Sequence, residues 1–189
     1  MEALFISLSA VAIAEIGDKT QLLSLVLATR FKRPLPIIAG IFVATILNHA
    51  LAAEVGILVA KWLTPQVLQW VLGVSFVAGG VWMLIPDKEG EVPGGVSRFG
   101  PFVTTAIAFF LAEMGDKTQL ATVGLAARFN ALFTVAAGTT IGMMLANVPV
   151  VILGDAAAKA LPLALVRGIA AAIFFALGII TILEALGIV

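Results

Sequence analysis

The residues best able to do chemistry stand in two copies of one string. Glu15-Ile16-Gly17-Asp18-Lys19-Thr20 and Glu113-Met114-Gly115-Asp116-Lys117-Thr118 each carry two carboxylates, an ammonium group and a hydroxyl, followed by Gln21 or Gln119. Carboxylates, hydroxyls, amide oxygens and backbone carbonyls are the ligands that hard divalent cations take. Glu15 and Asp18 are i and i+3, which on a helix puts both carboxylates on one face, and Glu113 and Asp116 repeat the spacing. Gly17 lies between the first pair, where a missing side chain permits close helix approach or a local unwinding that frees carbonyls.

Charge narrows the chemistry. With Glu15, Asp18, Glu113 and Asp116 ionised against Lys19 and Lys117, two net negative charges remain. One divalent cation neutralises them, and so do two protons, so the motif predicts an exchange of one for the other. The structural alternative is an ordinary i, i+4 helix salt bridge between Glu15 and Lys19. It leaves the two residual charges unexplained. Thr20, Gln21, Thr118 and Gln119 are candidate neutral ligands. Asn48 and Asn147 are either ligands or interhelical hydrogen bonds. Lys19 and Lys117 are read as charge-balancing partners or members of the transport cycle, not as direct ligands. His49, the only histidine, is read as a packing residue ahead of a ligand.

The elements that hold these residues must cross a membrane. Of 189 residues, 61% are hydrophobic and 12% charged, with a mean hydropathy of +1.15. Soluble domains are about one-quarter charged, so here the bilayer must be the solvent. Six apolar stretches, at 3–29, 35–61, 66–85, 101–127, 131–158 and 163–187, are each near the span of a bilayer. They are continuous rather than alternating, which predicts helices over a barrel. Phe31-Lys32-Arg33-Pro34, Thr64-Pro65, Phe129-Asn130 and Leu161-Pro162 mark the turns, and 87–100 is a polar, Gly/Pro-rich linker. Pro149 is expected to kink the fifth stretch. The acidic strings fall at the centres of stretches one and four, at the bilayer midplane. An ionisable group there costs at least ~2.5–3.5 kcal/mol and marks a functional pathway by default.

The linker divides two similar halves. A shift of 98 residues makes 11 of 17 positions identical between 15–31 and 113–129, and aligns Gly40 with Gly138 and Gly56 with Gly154. It misses the pairing of Asn48 with Asn147 by one residue. The chain is a tandem duplication. Three spans per half make the second half enter from the opposite side, which predicts an all-α integral membrane protein of six transmembrane helices in two inverted three-helix repeats, 1–86 and 101–189. Arg30, Lys32, Arg33, Lys88, Arg98, Lys159 and Arg167 fall on one side and Lys61 and Arg128 on the other. The richer side is expected to be cytoplasmic, linker included, with both termini extracytoplasmic. The first apolar stretch has no positive flank and is duplicated, so it is expected to be retained rather than cleaved as a leader.

Other classes are poorly served. There is no Cys and one His, so thiolate and multi-histidine sites within the chain are excluded. Net charge is zero and no basic stripe exists, which argues against a nucleic-acid partner. No nucleophile or cofactor motif accompanies the carboxylates, so an enzyme is not expected. An exporter of small organic cations or amino acids, or a cation channel, remains as an alternative. Asp155 and Lys159 are expected to pair at the interface, where Glu54 and Glu184 are placed too. Phe109-Phe110 and Phe174-Phe175 are read as apolar filler.

Two E-x-G-D-K-T strings, each in the first helix of a three-helix repeat, resemble the calcium/manganese–proton antiporter family, with Golgi members and bacterial manganese exporters. Both strings match it without substitution, and the similarity covers essentially the whole chain. The resemblance implies that Glu15, Asp18, Glu113 and Asp116 bind the cation. It implies export of Mn2+ or Ca2+ from the cytoplasm in exchange for protons, across the inner (plasma) membrane and without a resident cofactor.

Overall fold

The computed structural model describes residues 1–85, 99–154 and 163–188, and all its regular elements are helices. In chain order they are α1 (Glu2–Glu15), α2 (Lys19–Phe31), α3 (Pro34–Trp62) and α4 (Pro65–Met83). Then follow α5 (Gly100–Glu113), α6 (Lys117–Phe129), α7 (Leu132–Leu153) and α8 (Leu163–Ala185). Four of these, α3, α4, α7 and α8, are long and apolar enough to cross a membrane, and α5 is a shorter apolar helix. Many large apolar side chains face outward, among them Phe42, Leu47, Leu51, Phe133 and Ile169, while Glu15 and Glu113 have no exposed surface. That inversion of the soluble pattern is what a lipid exterior requires.

Stretches one and four are not continuous helices. Each is two half-helices, broken at Ile16-Gly17-Asp18 and at Met114-Gly115-Asp116. Ile16 and Met114 turn extended, and Gly17 and Gly115 take φ of 81° and 74°. Asp18 and Asp116 are extended N-caps of α2 and α6. Side chains other than glycine pay to enter the positive-φ region, so the glycine fixes where the break falls. The i, i+3 reading is therefore corrected. Glu15 ends one helix and Asp18 caps the next, so the two never share a helix face.

The turns follow the sequence signals. Lys32 takes a left-handed conformation and its N–H caps Ala28 O at 2.9 Å, and α3 restarts at Pro34. Asn130 ends α6 in the same left-handed conformation, and Pro65 opens α4. Pro149 sits inside α7. Leu161-Pro162, residues 87–98 of the linker and the Asp155–Lys159 pair lie outside the described residues.

The halves interlock. Helix α1 packs on α7, α5 on α3, and α4 on α8. Gly138 lies against Leu4 and Gly142 against Leu8, so α1 and α7 run parallel. Gly40 lies against Phe102, and Asn48 bonds to Phe110 further along, so α3 and α5 run parallel too. Gly73 meets Gly178 whereas Gly80 meets Ala171, so α4 and α8 run antiparallel. A Cβ on Gly40 would lie 2.7 Å from Phe102 O, and one on Gly138 would lie 2.7 Å from Leu4 O. These are equivalent contacts at the 98-residue shift. Phe76 meets Phe174, its equivalent, edge-on at 6.2 Å, so one of the filler phenylalanines sits where the halves meet.

Candidate functional site

Both breaks meet inside the bundle. Glu15 and Glu113 are fully buried, Asp116 is 2% exposed and Asp18 4%. One ligand oxygen from each of Glu15, Glu113 and Asp116 lies within 4.8 Å of the others. Three of the four carboxylates that the sequence selects thus converge. Asp18 stands on the other flank, 3.9 Å from Lys117 Nζ.

The lysines reach across the repeat. Lys19 Nζ is 2.7 Å from Asp116 Oδ1, and Lys117 Nζ approaches Asp18 Oδ1 and donates to Ile85 O at 3.2 Å. The i, i+4 pairing of Glu15 with Lys19 is thereby corrected, because the break at Gly17 turns Lys19 away from the helix that carries Glu15. Each ammonium faces an aspartate of the opposite half. Among the described residues, neither glutamate has a lysine or arginine within ion-pair distance. Thr20 donates to Glu15 Oε2 at 2.6 Å and Thr118 to Glu113 Oε2 at 3.0 Å, whereas Oε1 of each glutamate makes no hydrogen bond to any described residue. Buried acceptors without a donor are costly. Two buried glutamates, each with one oxygen lacking a donor among the described residues, stand with Asp116 in an oxygen cluster of the kind a cation completes.

The glutamines brace the breaks. Gly17 N–H donates to Gln21 Oε1 at 2.9 Å, and Gly115 N–H to Gln119 Oε1 at 2.7 Å. Their Nε2 groups donate onward, from Gln21 to Ala146 O and from Gln119 to Asn48 Oδ1, both at 3.1 Å. Asn48 in turn donates to Phe110 O at 2.9 Å. Asn147 accepts from Ser24 at 2.7 Å and donates to Met143 O at 3.1 Å. Both asparagines therefore make interhelical bonds beside the motifs.

Two side chains near the site are not among the residues that the sequence selects for it: Ser24 carries no signal there, and His49 reads first as packing. Ser24 is fully buried, one turn beyond the first motif. His49 is fully buried with Nε2 3.8 Å from Glu113 Oε2. The available signal was positional, since His49 is the 98-shift equivalent of Asn147. The flanks differ in access. Asp116 borders a cavity of about 340 Å³, lined also by Leu51, Gly115 and Gln119. Asp18 borders one of about 10 Å³ with Lys117 and Arg167. Away from the centre, Arg128 grips Glu184 through two nitrogens, at 2.8 and 3.1 Å, and also bonds Thr181.

An apolar-clad helical bundle with an acidic site at paired helix breaks is the form of a membrane ion transporter. The chain belongs to the GDT1 family of divalent cation/proton antiporters, whose family description matches residues 3–91 and 101–188. That is a family of transporters, not enzymes, and its members are multi-pass membrane proteins. A Vibrio cholerae protein named "Putative manganese exporter" is 55% identical over 96% of this chain and 90% of its own length. The rice "GDT1-like protein 3" is 28% identical over 75% of this chain and 59% of its own. The Arabidopsis thaliana "GDT1-like protein 5" is 28% identical over 70% of this chain and 74% of its own. No solved structure matches the chain.

Proposed function

We propose that this antiporter exports Mn2+, and Ca2+ as a second candidate, from the cytoplasm in exchange for protons. Glu15, Glu113 and Asp116 form the cation site, and Asp18 completes it from the other flank during the cycle. The observation that carries the reading is the pair of buried glutamates with no lysine or arginine partner among the described residues, each with one oxygen lacking a donor there. A divalent ion or two protons would neutralise them equally well, which is what makes the exchange possible. The name of the Vibrio cholerae relative favours manganese. Thr20 and Thr118 hold the glutamates, Gln21 and Gln119 hold the breaks, Asn48 braces Gln119, Asn147 ties α7 to α2 through Ser24, and Lys19 and Lys117 hold the aspartates.

The architecture we infer has six spans in two inverted repeats, 1–86 and 101–189, joined by a cytoplasmic linker at 87–100. The half-helix pairs α1–α2 and α5–α6 supply the two spans beyond the four long helices. Support comes from the parallel course of α3 and α5 and the antiparallel course of α4 and α8. The basic loops favour cytoplasmic residues 30–33 and extracytoplasmic termini in the inner membrane.

Purified protein in liposomes with a trapped pH dye tests the exchange. Mn2+ entering against a proton gradient with a matching lumenal pH change is the expected result. Metal flux without proton movement would remove the coupling. A C-terminal reporter that works only in the cytoplasm would reverse the orientation.

A further inference from the structure

We propose that His49 supplies a nitrogen ligand to the transported ion and so selects first-row transition cations over Ca2+ and Mg2+. The proposal rests on the cation site described above and adds to it the side chain that discriminates among ions. His49 has no exposed surface, and neither ring nitrogen makes a hydrogen bond to any described residue. A neutral imidazole carries one donor and one acceptor, and leaving both unused in a buried place is costly. Nε2 lies 3.8 Å from Glu113 Oε2, on the face of α3 turned to the acidic cluster. Neighbouring ligands around a six-coordinate ion lie roughly 3–3.7 Å apart, from metal–oxygen distances near 2.0–2.6 Å. Less than about 1 Å of movement would therefore bring the ring into such a shell.

The ring is held in place by its neighbour. Asn48, the preceding residue, bonds both Gln119 and Phe110 O, which fixes this turn of α3 against the second motif. The equivalent of His49 in the second half is Asn147, whose amide is committed to Ser24 and Met143. The shell therefore gains nitrogen from one half only. Ca2+ and Mg2+ are oxygen-seeking ions. Imidazole suits the later first-row ions best, and Mn2+, the weakest binder of that series, still takes imidazole nitrogen more readily than Ca2+ or Mg2+ does. Carboxylates alone accept both kinds, so the nitrogen is the feature able to separate them.

The test uses the full chain. Mn2+-loaded protein in detergent is examined by pulsed electron paramagnetic resonance for coupling to imidazole nitrogen, alongside liposome competition between Mn2+ and Ca2+. Wild type should show the nitrogen coupling and His49→Gln should lose it. The preference for Mn2+ over Ca2+ should fall about tenfold, the low end of what loss of a metal-site partner costs. Bound Mn2+ without nitrogen coupling would overturn the proposal and leave the carboxylate site standing. So would equal weakening of both ions in His49→Gln and His49→Leu. Mn2+ binding that is absent, or unaffected by Glu113→Gln, would overturn the carboxylate site and the His49 proposal with it. Should both variants fail to fold, the wild-type spectrum decides alone.

Discussion

Lys19 Nζ lies 2.7 Å from Asp116 Oδ1, an ion pair that joins the first motif to the second. Asp116 is almost wholly buried, so removing either partner strands a charge. Breaking a buried pair typically costs about 3–5 kcal/mol, and the partial exposure of Lys19 places this pair toward the low end. Lys19→Gln and Asp116→Asn should each lower the melting temperature in detergent. The double variant should lose less than the sum of the singles. Additive losses would show that the pair is not coupled.

Glu15→Gln and Glu113→Gln should each remove one of the two glutamate charges and abolish divalent-cation transport while the protein stays monodisperse. Asp116→Asn should do the same to transport. Flux assays with Mn2+, Ca2+ and Mg2+ read this directly, and full activity in any variant would remove that residue from the site.

Gly115 has open space around its Cα but a φ of 74°. A side chain there meets no clash, and only the backbone preference is at stake. Gly115→Ala should cost about 1–2 kcal/mol and slow transport by favouring a continuous helix. Gly115→Asn, which tolerates the left-handed region better, should retain more of both. Indistinguishable Ala and Asn variants would show that the break does not depend on this conformation.

Gly40 and Gly138 make the opposite case, because crowding rather than φ excludes a side chain. Each added Cβ would press on a carbonyl of the partner helix at 2.7 Å. Gly40→Ala and Gly138→Ala should destabilise by about 1–3 kcal/mol each, the usual cost of overpacking. Matched losses in thermal unfolding are expected, since the two contacts are equivalent. A harmless substitution at either would mean the helices can separate there.

Much of this arrangement is readable from residue order, and the unreadable part has a physical cause. The Gly17 and Gly115 breaks were open as one of two options, because a glycine inside an apolar run serves close packing and unwinding equally well. Helical spacing then suggested Glu15–Lys19, a local pair. The observed partner of Lys19 is 97 positions away, and a partner across the bundle leaves no mark on local periodicity. Asn48 and Asn147 looked like imperfect counterparts. The true equivalents are Asn48 with Ala146 and His49 with Asn147, as Gln119 bonding to Asn48 and Gln21 bonding to Ala146 make plain. The one-residue offset was the trace of an asymmetry at the site. Arg128 and Glu184 lie far apart in sequence, and only the adjacency of α6 and α8 ends joins them.

The interlocked packing bears on how such a chain can arise. Helix α1 finds its main partner in α7 and α5 finds its own in α3, so each half keeps its best contacts in the other. Within a single half the described helices pack on one another far less than they pack on the other half. A half alone could bury those faces only against a second copy of itself, in a two-fold dimer whose surfaces are self-complementary. Gene fusion would then fix the ratio of the two orientations at one to one and let each copy drift, as His49 and Asn147 have. The first half expressed alone should accordingly be recovered as a pair or be degraded, and a stable folded monomer would contradict this origin.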